Sequence, residues 1–193
     1  MMSVQLKWDQ RYIDAKITDT SACNALTENS DLLPSHGDAL DLACGLGGNA
    51  IFLAHHGLSV CAWDISPVAI GKLADYAAAN KLNILADVRD IDLNPPEPQT
   101  FDIITVSYFL NRRLLPQLNH ALRPNGLIFY QTFTDQNLSS QGPKSPDYLL
   151  RPNELLSAFS TLELRAYHEP GLAGNIHTGL RGQAWLIAQK IAS

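Results

Sequence analysis

The residues best suited to chemistry cluster around one glycine turn. Leu40-Asp41-Leu42-Ala43-Cys44-Gly45-Leu46-Gly47-Gly48-Asn49-Ala50 is an apolar run with a single acid that ends in glycines and resumes as a helix-like pattern from Ala50 to His55. Glycines at such a junction let the backbone approach a ligand, and the first turn of the helix offers unpaired N–H groups to an anionic part of it. Acids close the next two apolar runs: Asp64 ends Ser59 to Asp64, and Asp87 lies near the end of Asn83 to Val88. Ser107 ends a further run, Phe101 to Ser107. The three cysteines have no metal-like spacing and form neither a disulfide framework nor a zinc site. Cys44 and Cys61 read as small buried hydrophobes, and no metal is expected.

Strands and helices must alternate to hold these residues together. Asp19 to Asn29 reads as a helix with Thr20 or Ser21 as N-cap, stopped by Leu33-Pro34-Ser35-His36-Gly37. The helix after the glycine turn runs to about His56 and stops at Gly57. Ser66-Pro67 combines a capping serine with proline at the first helical position, and the helix continues to about Asn80. Asn94-Pro95-Pro96-Glu97 resembles the catalytic loop of amino-directed DNA methylases, but it precedes the fourth strand and ends in an acid, so it reads as a turn. A helix from about Arg113 to Leu122 leads through Arg123-Pro124-Asn125-Gly126 into a fifth strand, Leu127 to Phe133. The polar stretch from Thr134 to Tyr148 is long enough to be a functional loop or lid. A short helix from Pro152-Asn153-Glu154 to Phe159 precedes two strands, Leu162 to Tyr167 and Ala184 to Ile191, joined as antiparallel neighbours.

That order predicts an α/β fold: a Rossmann-like doubly wound sheet, mostly parallel, with helices on both faces and an antiparallel C-terminal edge. Ligands of such sheets bind at the carboxyl ends of the strands, near the point where strand order reverses. The glycine turn, Asp64, Asp87 and Ser107 all fall there. Length allows one domain with a substantial core. Its expected parts are an N-terminal arm and helix serving as lid (1–35), a ligand-binding core (36–133), and a loop, helix and strand pair on the acceptor side (134–193). With 46% hydrophobic and 17% charged residues, no membrane-length apolar run and no signal-peptide core, a cytoplasmic protein is expected, as monomer or homodimer. A net charge of −5 disfavours nucleic acid as a partner.

The turn alone leaves the ligand open. Gly45-x-Gly47-x-x-Ala50 fits the dinucleotide fingerprint, with Asp64 about twenty residues on to hold a ribose, so an NAD-linked oxidoreductase is a rival. Against it, no second glycine turn follows the fourth strand and little chain is left for a substrate domain. Phosphoryl transfer is disfavoured because no Gly-Lys-Ser/Thr P-loop occurs.

Taken together, Trp8-Asp9-Gln10-Arg11-Tyr12, the glycine turn, Ala62-Trp63-Asp64-Ile65-Ser66, Ala86-Asp87-Val88, Phe101-Asp102-Ile103-Ile104, Leu122-Arg123-Pro124-Asn125-Gly126 and Leu150-Arg151-Pro152-Asn153-Glu154-Leu155 resemble, in order and spacing, a class I S-adenosylmethionine-dependent methyltransferase. The small tellurite-resistance type is the most similar. Asn125 stands where that group has glycine, a tolerable change because Asn accepts left-handed backbone.

The resemblance implies S-adenosyl-L-methionine as methyl donor and a small-molecule acceptor, with a chalcogen oxyanion or thiol-like compound as the expectation. It implies that Asp41 faces the cationic end of the methionine arm and that Ala43, Gly45 and Gly47 line the arm and ribose, with Asn49 alongside. Asp64 would accept from the ribose hydroxyls. Ile65 and Val88 would sandwich the adenine, with Asp87 accepting from its amino group. Ser107 and Tyr108 would sit near the methyl, and Trp8, Arg11 and Tyr12 would close over the donor. Methyl transfer needs alignment more than a general base, so catalytic residues are open. Tyr108, His177 and Arg181 are candidates, beside Asn111, Arg112, Tyr130 and His168 on the acceptor side. A cofactor-binding protein without transferase activity is a further alternative.

Overall fold

A computed structural model describes residues 3–136 and 142–192. Seven strands form one sheet: β1 (Asp38–Leu42), β2 (Ser59–Asp64), β3 (Ile84–Val88), β4 (Phe101–Ser107), β5 (Leu122–Phe133), β6 (Glu163–His168) and β7 (Gln183–Gln189), in the order β3-β2-β1-β4-β5-β7-β6. The first five strands are parallel to one another. β7 runs antiparallel to both β5 and β6, so the closing pair supplies the antiparallel edge with β6 outermost. Strand order reverses between β1 and β4, which places the switch point at the carboxyl ends of those two strands.

Alternation along the strands builds a core on each face. Leu40, Leu42, Ile104, Val106, Ile128, Tyr130 and Leu186 pack under α5 (Leu115–Ala121) and α6 (Glu154–Ala158) through Leu115, Leu118 and Leu155. Ala39, Val60, Ala62, Ile103, Phe129 and Ile187 point the other way. They pack against Leu26 of α2 (Asn24–Thr27), Ala50 and Leu53 of α3 (Gly48–His55) and Leu73 of α4 (Pro67–Asn80). The near-continuous apolar character of β4 follows from this double coverage. On the second face the regular positions next to the switch point are polar: Asp41, Thr105 and Gln131 are all fully buried.

The chain before β1 departs from expectation. After α1 (Val4–Tyr12) the predicted helix over 19–29 is broken: a 3₁₀ turn at Ile17–Asp19, non-helical backbone over 20–23, the single turn of α2, and another 3₁₀ turn at Ser30–Leu32. Tertiary contacts override local propensity here. The Cys23 N–H donates to Asn49 Oδ1 (3.0 Å) and the Ala25 N–H to Gln131 Oε1 (2.8 Å), so α2 is capped by remote amides rather than by Thr20 or Ser21. Gly48 permits this path: a Cβ there would lie 2.4 Å from the Ser21 carbonyl oxygen. α5 begins two residues later than expected, because Asn111 to Leu114 form a turn in which the Asn111 side chain accepts from the Arg113 N–H (3.0 Å). β5 starts earlier than expected and takes in Arg123 to Gly126, with Asn125 at a φ of 66°.

The connection from β3 to β4 carries no helix. Arg89 lies over the Trp63 ring (3.8 Å) and donates to the carbonyls of Asn94 (2.8 Å) and Pro95 (3.1 Å), pinning the Asn-Pro-Pro-Glu turn to the sheet. Of the loop expected after β5, residues 137–141 lie outside the described residues; the remainder contains a 3₁₀ turn at Pro146–Tyr148.

Candidate active site

The site forms where β1, β2 and β4 end. β1 delivers Asp41 into the interior beneath the glycine turn. Its Oδ2 accepts from the Ala50 N–H (2.9 Å) and its Oδ1 from the Asn49 amide (3.2 Å), so it caps the first turn of α3 from below. Burial pushes its carboxyl up to about 7, against the pull of Asn49 and Ala50, and the neighbouring Asp64 adds to the rise. Ala43, Gly45 and Gly47 then take φ of 55°, 54° and 79°. Left-handed backbone is costly for Ala43, and such strain concentrates at ligand sites. The Cys44 N–H ties the turn to β2 through the Trp63 carbonyl (2.9 Å).

Asp64 joins the turn to α4. Its Oδ2 accepts from the Gly45 N–H (2.8 Å) and its Oδ1 from the Ser66 N–H (2.9 Å). It is 7% exposed, and burial raises its pKa while those N–H donors oppose the rise. Ser66 caps α4 by accepting from the Ala69 N–H (3.2 Å), and its own hydroxyl donates to Asp9 Oδ1 of α1 (2.5 Å).

α1 lies over this floor. The Tyr12 hydroxyl rests against Gly45, where a Cβ would be 2.7 Å away, and Trp8 stacks on Tyr12 with Arg11 over the Trp8 ring. Burial holds the Tyr12 phenol above the ordinary tyrosine range, with Asp64 adding to the effect. Lys72 of α4 fastens the end of the arm by donating to the carbonyls of Tyr12, Ile13 and Ala15 at 2.7–2.8 Å. Lys72→Met should release it: we expect limited trypsin to cut at Arg11 or Lys16 at least several-fold faster, and an unchanged cleavage rate would deny Lys72 that role.

The far wall belongs to β4 and β5. Ser107 Oγ accepts from the Asn49 amide (2.8 Å), so one side chain bridges Asp41, Ser107 and the start of α2. Tyr108 follows with a φ of 56°, its N–H donating to the Gln131 carbonyl (2.9 Å). At the other end, Ile65 is half-buried, while Asp87 and Val88 are exposed at the carboxyl end of β3, with Val88 in register with Asp64.

The structure therefore brings Asp41, Ala43, Gly45, Gly47, Asn49, Asp64, Ser107, Tyr108 and the arm residues Trp8, Arg11 and Tyr12 around one turn. Other candidates are engaged elsewhere. Arg181 donates to the carbonyls of Gly171, Ala173, Asn175 and Thr178, holding its own loop together. His177 is exposed in that loop. Arg112 pairs with Glu154 and donates to the Asp147 and Leu149 carbonyls. Tyr130 is buried and donates to the Phe109 carbonyl (2.9 Å), Asn111 donates to Asp92, and His168 stacks on Trp185 with its Nε2 3.1 Å from the Leu180 carbonyl. Gln131 and Lys72 were not expected at the site, Ser66 was expected only as the cap of its helix, and Asp9 only as part of the motif from Trp8 to Tyr12.

With this geometry in view, the comparisons with known proteins are decisive for the family. The methyltransferase domain matches residues 13–169. The chain belongs to the methyltransferase-domain family. It is 28% identical over 136 residues to the ubiquinone biosynthesis O-methyltransferase of Coxiella burnetii, covering 60% of this chain and 58% of that protein. It is 27% identical over 135 residues to the probable S-adenosyl-L-methionine-dependent methyltransferase TehB of Haemophilus influenzae, covering 67% of this chain and 47% of that one. The chain thus spans about half the length of these relatives. The crystal structure of the Haemophilus TehB superposes with a TM-score of 0.71 at 22% identity, over 89% of this chain and 64% of that one, and establishes the shared α/β fold. The resemblance to TehB-type, S-adenosylmethionine-dependent methyltransferases therefore holds, and with it the expected sheet. No helix of the described residues is long and apolar enough to cross a membrane.

Proposed function

We propose that this chain transfers a methyl group from S-adenosyl-L-methionine to a small-molecule acceptor. The observation that carries this reading is the pair of buried acids, Asp41 and Asp64, gathered by their hydrogen bonds under a strained turn and an aromatic arm. Such a donor set suits a cationic, phosphate-free nucleoside. It does not suit a pyrophosphate, since the nearby Lys72 is spent on backbone carbonyls.

The donor supplies a carbon already activated by positive sulfur. In this reading Asp41 and Asn49 neighbour its cationic end, Gly45 and Gly47 let the backbone come close, and Asp64 accepts from the ribose. Ile65 and Val88 flank the adenine with Asp87 at its edge. Trp8, Arg11 and Tyr12 exclude water, which alignment-driven transfer requires. Ser107 and Tyr108 border the acceptor. A chalcogen oxyanion would need a cation there, and Arg112 and Arg181 are not free to serve, because Glu154 and backbone carbonyls engage their donors. We place the protein in the cytoplasm as one working unit, monomer or homodimer.

Calorimetric titration with S-adenosylhomocysteine and with NADH tests the reading. The expected result is saturable binding of the first and none of the second. NADH binding without S-adenosylhomocysteine binding would instead favour the oxidoreductase. Donor affinity without turnover of any thiol, hydroxyl, amine or carboxylate acceptor would leave a cofactor-binding protein.

A further inference from the structure

Tyr108 is held in a way that packing alone does not require. A bulky residue at a φ of 56° sits in backbone that side chains avoid, and the residue stays 49% exposed at the edge of the site. One side of the ring is supported by Phe133, 5.4 Å between centroids, and Phe133 is in turn covered by Gly142, where a Cβ would be 2.8 Å from it. Among the described residues no second ring stacks on the tyrosine.

Its hydroxyl is oriented from below. Gln131 is fully buried, and its two ends have partners of opposite kind. Oε1 accepts from the Ala25 N–H (2.8 Å), while Nε2 donates to Gln183 Oε1 (2.8 Å) and, at a longer 3.4 Å, to the Tyr108 hydroxyl oxygen. The amide cannot turn over without losing these bonds. The tyrosine oxygen is therefore supplied with a donor, and its own proton is free to be donated outward. Burial keeps the phenol above its ordinary range, so it remains a donor at neutral pH.

Resting on the methyltransferase reading, we infer that the acceptor is a small aromatic hydroxyl compound. It stacks on the Tyr108 ring and accepts a hydrogen bond from the Tyr108 hydroxyl at an oxygen on its ring. Stacked aromatic pairs are favourable beyond their buried area, and oxygen is a better hydrogen-bond acceptor than sulfur, which sets phenols above thiols. In the reaction the methyl–sulfur bond breaks with its electron pair left on sulfur. The bond from methyl to the phenol oxygen forms, and the phenol proton leaves to solvent.

The test uses the full chain in two measurements. First, S-adenosylhomocysteine is titrated into wild type, and catechol, 4-nitrophenol, selenite and 2-mercaptoethanol are then titrated into the resulting complex. Second, product formation from S-adenosylmethionine is followed with the same four acceptors for wild type, Tyr108→Phe and Tyr108→Ala. Binding and turnover of the phenols in preference to the other two supports the inference. So does a KM for catechol raised about tenfold in Tyr108→Phe and further in Tyr108→Ala. A donor-product complex that binds neither phenol overturns it, as does a preference for selenite or mercaptoethanol, or a catechol KM indifferent to Tyr108. The wild-type measurements decide even where a variant fails to fold. Failure to bind S-adenosylhomocysteine at all is read separately: it removes the methyl-donor reading itself, and the acceptor inference falls with it.

Discussion

Asp64→Ala is expected to weaken S-adenosylhomocysteine binding by about 1.5–3 kcal/mol, roughly ten- to a hundredfold, the scale of hydrogen bonds to a charged group. Two of the carboxylate's lone-pair positions are already used, on the Gly45 and Ser66 N–H groups. Those bonds fix the direction in which the remaining ones face, toward the place proposed for the ribose. Alanine removes both effects together: the acceptor for the ligand, and the strut between the glycine turn and α4. Losing the strut leaves the Gly45 N–H without its partner, so the melting temperature should fall as well. Asp64→Asn is a sharper control than it looks, because its NH₂ must face one of two N–H donors and cannot accept from it. It should therefore behave closer to alanine than to wild type. Calorimetry on each variant, with circular dichroism to confirm folding, decides the matter. Unchanged affinity in a folded Asp64→Ala protein would take this residue out of the site.

What could be read ahead of the structure depended on how local the cause was. β2 and β4 were legible to their ends because continuous apolar runs stop at Asp64 and Ser107, and α4 because Ser66-Pro67 is a self-contained start signal. The broken segment before β1 was not legible. Its helix is one turn long because its N–H groups are satisfied by Asn49 and Gln131, which lie 26 and 106 residues away in the chain. The closing arm shows the same division. Trp8, Arg11 and Tyr12 announce themselves by residue type. The groups that hold them down, Ser66 Oγ on Asp9 and Lys72 on three carbonyls, carry no local mark. On the acceptor side residue type misled in the opposite direction. Arg112 and Arg181 have the chemistry to bind an anion, but backbone carbonyls and Glu154 claim their donors. Composition cannot show whether a guanidinium is free.

Asp41 carries the second large expectation, because its protonation links folding to ligand binding. In the folded chain burial lifts its carboxyl to about 7, from an ordinary value near 4. Between those values the folded state keeps a proton that the unfolded chain gives up. This group's contribution to stability is therefore greatest below about pH 4 and is lost as pH rises toward 7. Ligand binding has the opposite sign. The ammonium of the amino-acid arm beside Asp41 would favour the ionised carboxylate, so affinity for S-adenosylhomocysteine should rise with pH, by up to about tenfold per unit below 7. At pH 6.5 binding should release protons to the buffer. Titrations in phosphate and in Tris, whose ionisation enthalpies differ, count them directly. Asp64 is also raised and lies close by, so the Asp41→Asn variant is needed to separate the two. In that variant the part due to Asp41 disappears, and whatever persists belongs to Asp64 or to the ligand. Asp41→Ala is a different perturbation: it strands the Ala50 N–H and the Asn49 amide in a site with no solvent, at a cost of about 3 kcal/mol in stability. If wild type and Asp41→Asn release the same number of protons, Asp41 is only the cap of α3, and the cationic end of the donor must be held elsewhere.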